Sequence, residues 1–219
     1  MRRFARWHIW LGWLVALPIL IWIASGLFMS AKPIEEVRGE NLRQHARPID
    51  GSSLKAPQLA GTVTKVALVD QVGSAVWVVT GTDKSMRRYD ARTGIALNAI
   101  AEAEARRIAL DAFSGDAKLA TIVRFSADQS PLDLRKPRPS WQVSFDDGTH
   151  LYIDADTGEV LALRTRWWRV YDFLWGLHIM DLETRENAHN PWVWTLGGLA
   201  FVSSLMGTAL LFRRRRRAR

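Results

Sequence analysis

Five histidines are the side chains of this sequence best suited to hold a cofactor, because it contains no cysteine. That absence excludes a disulfide scaffold, a thiolate metal site, an iron–sulfur cluster, a cysteine nucleophile and covalent haem attachment. Two of the histidines sit among apolar and aromatic neighbours. His8 lies in Arg6-Trp7-His8-Ile9-Trp10-Leu11-Gly12, and His178 lies in Phe173-Leu174-Trp175-Gly176-Leu177-His178-Ile179-Met180-Asp181. A charged imidazole in such a setting is costly, whereas a neutral imidazole coordinating a metal is not. Gly12, one turn after His8 on the same helical face, removes a side chain where a flat macrocycle can approach, and Gly176 offers a similar slot beside His178. An imidazole, room and apolar walls are what axial ligation of a non-covalent, b-type haem requires. The plainer reading is that both histidines hydrogen-bond water or lipid headgroups. Asp172 and Asp181 flank His178 and either orient its second nitrogen or solvate an interfacial helix. His45 and His150 stand in polar stretches and read as solvated; His189, beside Asn190-Pro191, is a third ligand candidate or part of a turn.

The elements carrying these residues follow from charge and hydropathy. Neither residues 7–31 nor residues 187–212 contain Lys, Arg, Asp or Glu, and each run holds one histidine. At 1.5 Å per residue, 25 helical residues exceed the roughly 30 Å hydrocarbon core. A signal peptide is the competing reading of the first run, but its apolar stretch is long and Met29-Ser30-Ala31 is a poor cleavage site. The formal charge of +8 on 219 residues suggests at first a nucleic-acid binder. Its location removes that expectation. Nine arginines, Arg2, Arg3, Arg6, Arg213 to Arg217 and Arg219, flank the two runs, and the rest of the chain has 21 basic against 22 acidic residues. By the positive-inside rule both ends face the cytoplasm of a bacterial inner membrane and the central segment is periplasmic. Trp7, Trp10 and Trp13, with Trp192 and Trp194, suit interfacial anchoring. Ser203, Gly207 and Gly198 are small residues that permit close helix packing, including packing of a second copy.

The central segment repeats at an offset of 64 residues. Trp77 in Ala75-Val76-Trp77-Val78-Val79 matches Trp141 in Ser140-Trp141-Gln142-Val143, and Asp90-Ala91-Arg92-Thr93-Gly94 matches Asp154-Ala155-Asp156-Thr157-Gly158. Two copies of one unit are expected, each with short strands and a tight Asp-to-Gly turn. A helix is expected over 99–113 and a short or eroded counterpart over 53–59. Residues 129–139, rich in Pro and charge, read as an exposed loop. Asp156-Thr157-Gly158 spells the aspartic-protease signature, but the repeat partner carries Arg92 at the Asp156 position and the turn alone accounts for the pattern.

Trp141, Val143, Tyr152, Asp154, Thr157, Gly158 and Val160 within 99–163 resemble the PepSY module. His8 with Gly12, the run Trp168, Arg169, Asp172, Phe173, Leu174, Leu177, His178, Met180 and Asp181, and the Asn190-Pro191 pair resemble the PepSY-associated transmembrane family. Larger relatives with four helices include inner-membrane, haem-containing reductases of iron-loaded siderophores. The resemblance implies an α+β membrane protein: two transmembrane helices around a periplasmic tandem PepSY-like domain of helix and antiparallel sheet. The expected segments are 1–31, a basic tip and first span; 32–98, a degenerate first repeat; 99–165, the second repeat; 166–186, an interfacial aromatic helix; 187–212, the second span; and 213–219, an arginine tail. It further implies His8 and His178 as haem ligands, with Gly12 and Gly176 lining the cofactor. The two histidines stand about a bilayer apart, so each haem is expected between paired histidines of a homodimer. Electrons would pass from a quinol or cytoplasmic donor to a periplasmic acceptor such as a ferric chelate. The competing class is a non-enzymatic, membrane-anchored PepSY module that binds or regulates a periplasmic protein partner or peptidase. No catalytic side chain is assigned, and no nucleic-acid partner is expected.

Overall fold

A computed structural model describes residues 2–45, 47–59 and 61–217, including their side chains except those of Arg2 and 214–217. The arginine tail beyond Arg213 therefore lies outside the described side chains. The chain divides into two units: the terminal segments up to Pro33 and from Arg169 onward form one, and Ile34–Trp168 forms the other.

In the terminal unit, α1 (Arg2–Met29) and α5 (Pro191–Arg217) are both long and apolar enough to cross a membrane. They pack antiparallel: His8 meets Ser203 and Gly207, while Trp22 approaches Gly197. Pro18 is accommodated inside α1. The second helix starts at Pro191, later than the expected 187, for a local reason. The Asn190 carboxamide oxygen accepts from the amides of Trp192 (3.0 Å) and Val193 (3.2 Å), capping the helix, and Pro191 takes the first helical position. Trp7, Trp10, Trp13, Trp192 and Trp194 all project outward and exposed.

The Ile34–Trp168 unit begins with a four-residue helix, α2 (Ile34–Val37). Strands β1 (Val63–Gln71), β2 (Ser74–Gly81) and β3 (Met86–Asp90) form a three-stranded antiparallel sheet, and α3 (Glu102–Ala112) is followed by the four-stranded antiparallel sheet β4 (Leu119–Phe125), β5 (Ser140–Phe145), β6 (His150–Asp154) and β7 (Val160–Arg164). The repeat is visible in the register. Trp77 faces Tyr89 across β2 and β3, and Trp141 faces Ile153 across β5 and β6, at the same offset of 64. Both tryptophans donate their indole N–H to a carbonyl preceding the sheet: Trp77 to Lys55 (2.8 Å) and Trp141 to Ile100 (2.9 Å). Gly94 and Gly158 close equivalent turns at φ 77° and 75°, where a side chain would be strained. In each turn the leading aspartate, Asp90 or Asp154, accepts amides two and three residues on.

The repeats differ in what covers the sheet. In the second, Ile100, Ala105, Ile108, Ala109 and Phe113 pack on Val143, Phe145, Leu151, Ile153 and Leu163. In the first, the short helix expected over 53–59 is not formed; these residues are coil, carrying too few regularly spaced apolar residues to pack as a helix. Two further expectations are corrected. The 129–139 segment is a loop but not simply an exposed one, since Leu134 is 1% exposed and packs with Tyr152 and Ala162 on the sheet face opposite α3. His150 is half-buried rather than solvated, with Nδ1 3.2 Å from Gln142 Nε2 and 3.7 Å from Asp133.

Candidate functional site around His8 and His178

The described parts of the two apolar helices bury two polar side chains, Ser25 in α1 (3% exposed) and Ser203 in α5 (6%), and each faces a histidine ring. Ser203 Oγ stands 3.4 Å from His8 Nδ1. The His8 ring lies flush on Gly207: a Cβ built there would come within 3.1 Å of His8 Cε1 and 3.2 Å of Nε2. The small residues expected to pack helices together thus make room for an imidazole of the same chain. Gly198 has open space instead.

His178 ends α4 (Arg166–His178) and turns back onto α1. Its Nδ1 is 3.0 Å from Ser25 Oγ, and its ring lies between two indoles, Trp175 stacked at 6.3 Å and Trp22 tilted at 5.6 Å. Gly26 lies opposite, 3.6 Å from Cε1 once a Cβ is added, which is ordinary contact distance. Burial pulls the His178 pKa below its ordinary value, opposed by a hydrogen bond with the Trp22 carbonyl. Burial therefore favours the neutral ring, which carries one N–H.

The segment from His178 to α5 holds this end in place. Asp172, nearly buried, pairs with Arg185 at 2.8 Å, and the Arg185 carbonyl accepts the Trp175 indole N–H at 3.1 Å. Asp181 accepts the amides of Thr184, Glu186 and Asn187 and the Thr184 hydroxyl. Asn190 donates to the Ile179 carbonyl at 2.7 Å. These bonds change the roles expected of the two aspartates: both carboxylates serve the loop, and His178 Nδ1 is met by a serine. The slot expected at Gly176 is filled, since a Cβ there would come within 2.8 Å of Arg185 Cγ and 2.9 Å of the Asp181 carbonyl. Gly12 has no neighbour within 4 Å. His189 is exposed and its backbone N–H donates to Asn187, so it forms part of the turn into α5.

A mainly apolar groove of about 520 Å³ is lined by Pro18, Ile21, Trp22, Leu177, Met180 and Leu196, with Asp181 and Glu183 also on it. No cluster of three or more His, Asp or Glu able to hold a metal ion occurs among the described residues. Each histidine is therefore a lone imidazole of its chain. Ser25 and Arg185 were not legible as parts of this arrangement: a serine in an apolar run and an arginine in a polar turn carry no spacing signal.

Residues 99–164 match the PepSY family model, described as peptidase propeptide and YPEB domain, and this stretch contains α3 and the four-stranded sheet. No curated protein and no solved structure matches the chain.

Proposed function

We propose that a PepSY domain on a two-helix anchor serves here as a haem-binding electron-transfer protein or small reductase of the bacterial inner membrane. Its acceptor would be periplasmic, such as ferric-siderophore iron, and its donor a quinol or a cytoplasmic partner. The observation that carries this reading is His178, a neutral imidazole between two indole rings at the end of an apolar helix pair, with Nδ1 occupied by Ser25. This arrangement fits an axial ligand, whose second ring nitrogen is normally held by a hydrogen bond. His8 offers a second imidazole near the other end, 17 residues from Ser25 along α1 and so about 25 Å away. Haem, when bound, supplies one-electron transfer. The chain's own residues supply the ligating nitrogen, the indole walls and the exclusion of water. One chain presents one histidine at each depth, so pairing across a homodimer completes each set. Gly12 has the free space for a planar group; Gly176 supports the loop instead.

The second reading rests on the PepSY match, whose description names peptidase propeptides. Under it the protein is a membrane-anchored module that binds or regulates a periplasmic partner. A visible spectrum of detergent-purified protein from haem-supplemented cells separates the two. A Soret band, with α and β bands on dithionite reduction, is expected for the wild type and lost in His178→Ala. Colourless wild-type protein rules out the haem reading and leaves the module.

A further inference from the structure

Ser25 Oγ lies 3.0 Å from the Trp22 carbonyl oxygen and 3.0 Å from His178 Nδ1. A hydroxyl has one hydrogen to give. Directed at the Trp22 carbonyl, as serines in helices commonly direct it, that hydrogen leaves the Ser25 oxygen facing Nδ1 with lone pairs only. The Ser25 oxygen therefore calls for an N–H on this side of the imidazole. A neutral imidazole has a single N–H, so its other nitrogen, Nε2, keeps a lone pair.

From this geometry we propose that Ser25 is a positioning residue that fixes His178 as the Nδ1–H tautomer, making Nε2 the nitrogen presented to an electron-accepting partner such as a metal centre. The nature of that partner rests on the haem reading above; the tautomer does not. Trp175 and Trp22 restrict ring rotation, and Gly26 leaves the ring space to lie against α1. The serine thus settles which nitrogen is free, and the indoles settle where it points.

The test uses full-length protein with ¹⁵N-labelled histidine in lipid nanodiscs, with His178→Gln identifying the His178 signals. Two-bond ¹H–¹⁵N spectra distinguish the tautomers without any cofactor. The wild type is expected in the Nδ1–H form. Ser25→Ala, which removes one hydrogen bond, is expected to lower the ratio of Nδ1–H to Nε2–H about fivefold, and Ser25→Thr to restore it by keeping the hydroxyl. A wild-type ring in the Nε2–H form, or a ratio unmoved in Ser25→Ala, overturns the proposal. Haemin is then titrated into the same samples, where Ser25→Ala is expected to bind about tenfold more weakly. If the tautomer responds as expected while the wild type takes up no haemin, Ser25 keeps its role and the haem reading is the one that fails.

Discussion

Asp181 shows how a single side chain can govern the end of an apolar helix pair. Its carboxylate lies far below the usual range because the Thr184 hydroxyl and the Asn187 amide donate to it, with the Thr184 and Glu186 amides adding to the effect. These donors favour the ionised form. A folded-state pKa depressed in this way stabilises the loop at pH values above the unfolded aspartate range, about 4, and that stabilisation is lost as pH falls through the folded-state value. Hydrogen exchange is expected to show protected amides at Thr184, Glu186 and Asn187 at neutral pH, with protection declining progressively in acid. In Asp181→Asn the protection should be low throughout and nearly independent of pH. Equal protection in the two proteins would show that the loop stands without this carboxylate. The role was hard to foresee from sequence because Asp181 adjoins the His178 segment and invites a role at the ring. What decides otherwise is the positive φ of Met180 (56°) and Arg185 (57°), which folds the following amides back onto the carboxylate.

The 129–139 segment is the element whose sequence misleads most. In the first repeat the corresponding strands join through two residues, Val72 and Gly73, both at positive φ as a tight hairpin requires. In the second repeat the same connection is long and folds back as a strap. Leu134 inserts beside Tyr152 and Ala162, the Asp133 carbonyl accepts from Arg164 at 2.8 Å, and Arg138 reaches the fully buried Asp154 carboxylate at 2.5 Å. Arg135 and Arg164 both lie over the Trp168 ring, at 5.7 and 4.1 Å. Pro-rich, charged composition correctly marked a loop. It could not show that one leucine has an apolar seat waiting on a sheet face whose other side is filled by α3. Removing that seat's occupant should therefore free the strap without unfolding the sheet beneath. Leu134→Ala is expected to weaken this packing by about 2–4 kcal/mol, and trypsin to cut after Arg135 faster than in the wild type, with the PepSY core surviving as fragments that stay associated. Unchanged cleavage would mean that Arg138 and Asp133 alone hold the strap.

At the scale of the whole chain, the apolar runs, the strand repeat and the helix over 99–113 were legible because each depends on periodicity or a constant offset, which sequence displays directly. The serine partners and the loop clamp depend on contacts between distant segments and were not. Orientation lies between these cases. Antiparallel packing brings the start of α1 and the end of α5 to one side of the terminal unit, and under the proposed membrane reading the positive-inside rule would assign that side to the cytoplasm. The lack of native cysteine makes this testable with single substitutions. Asp116→Cys, at an exposed position of the central unit, should react with a membrane-impermeant maleimide in intact spheroplasts, whereas Ala218→Cys should react only after the membrane is permeabilised. The reverse pattern would invert the topology and place the PepSY domain in the cytoplasm. Because five consecutive arginines end α5, replacing 213–217 with glutamine should remove most of the charge bias by which the positive-inside rule would hold that end in the cytoplasm. A measurable fraction of Ala218→Cys should then become labelled in intact spheroplasts, and a tail that remains fully protected would show that the first helix alone sets the orientation.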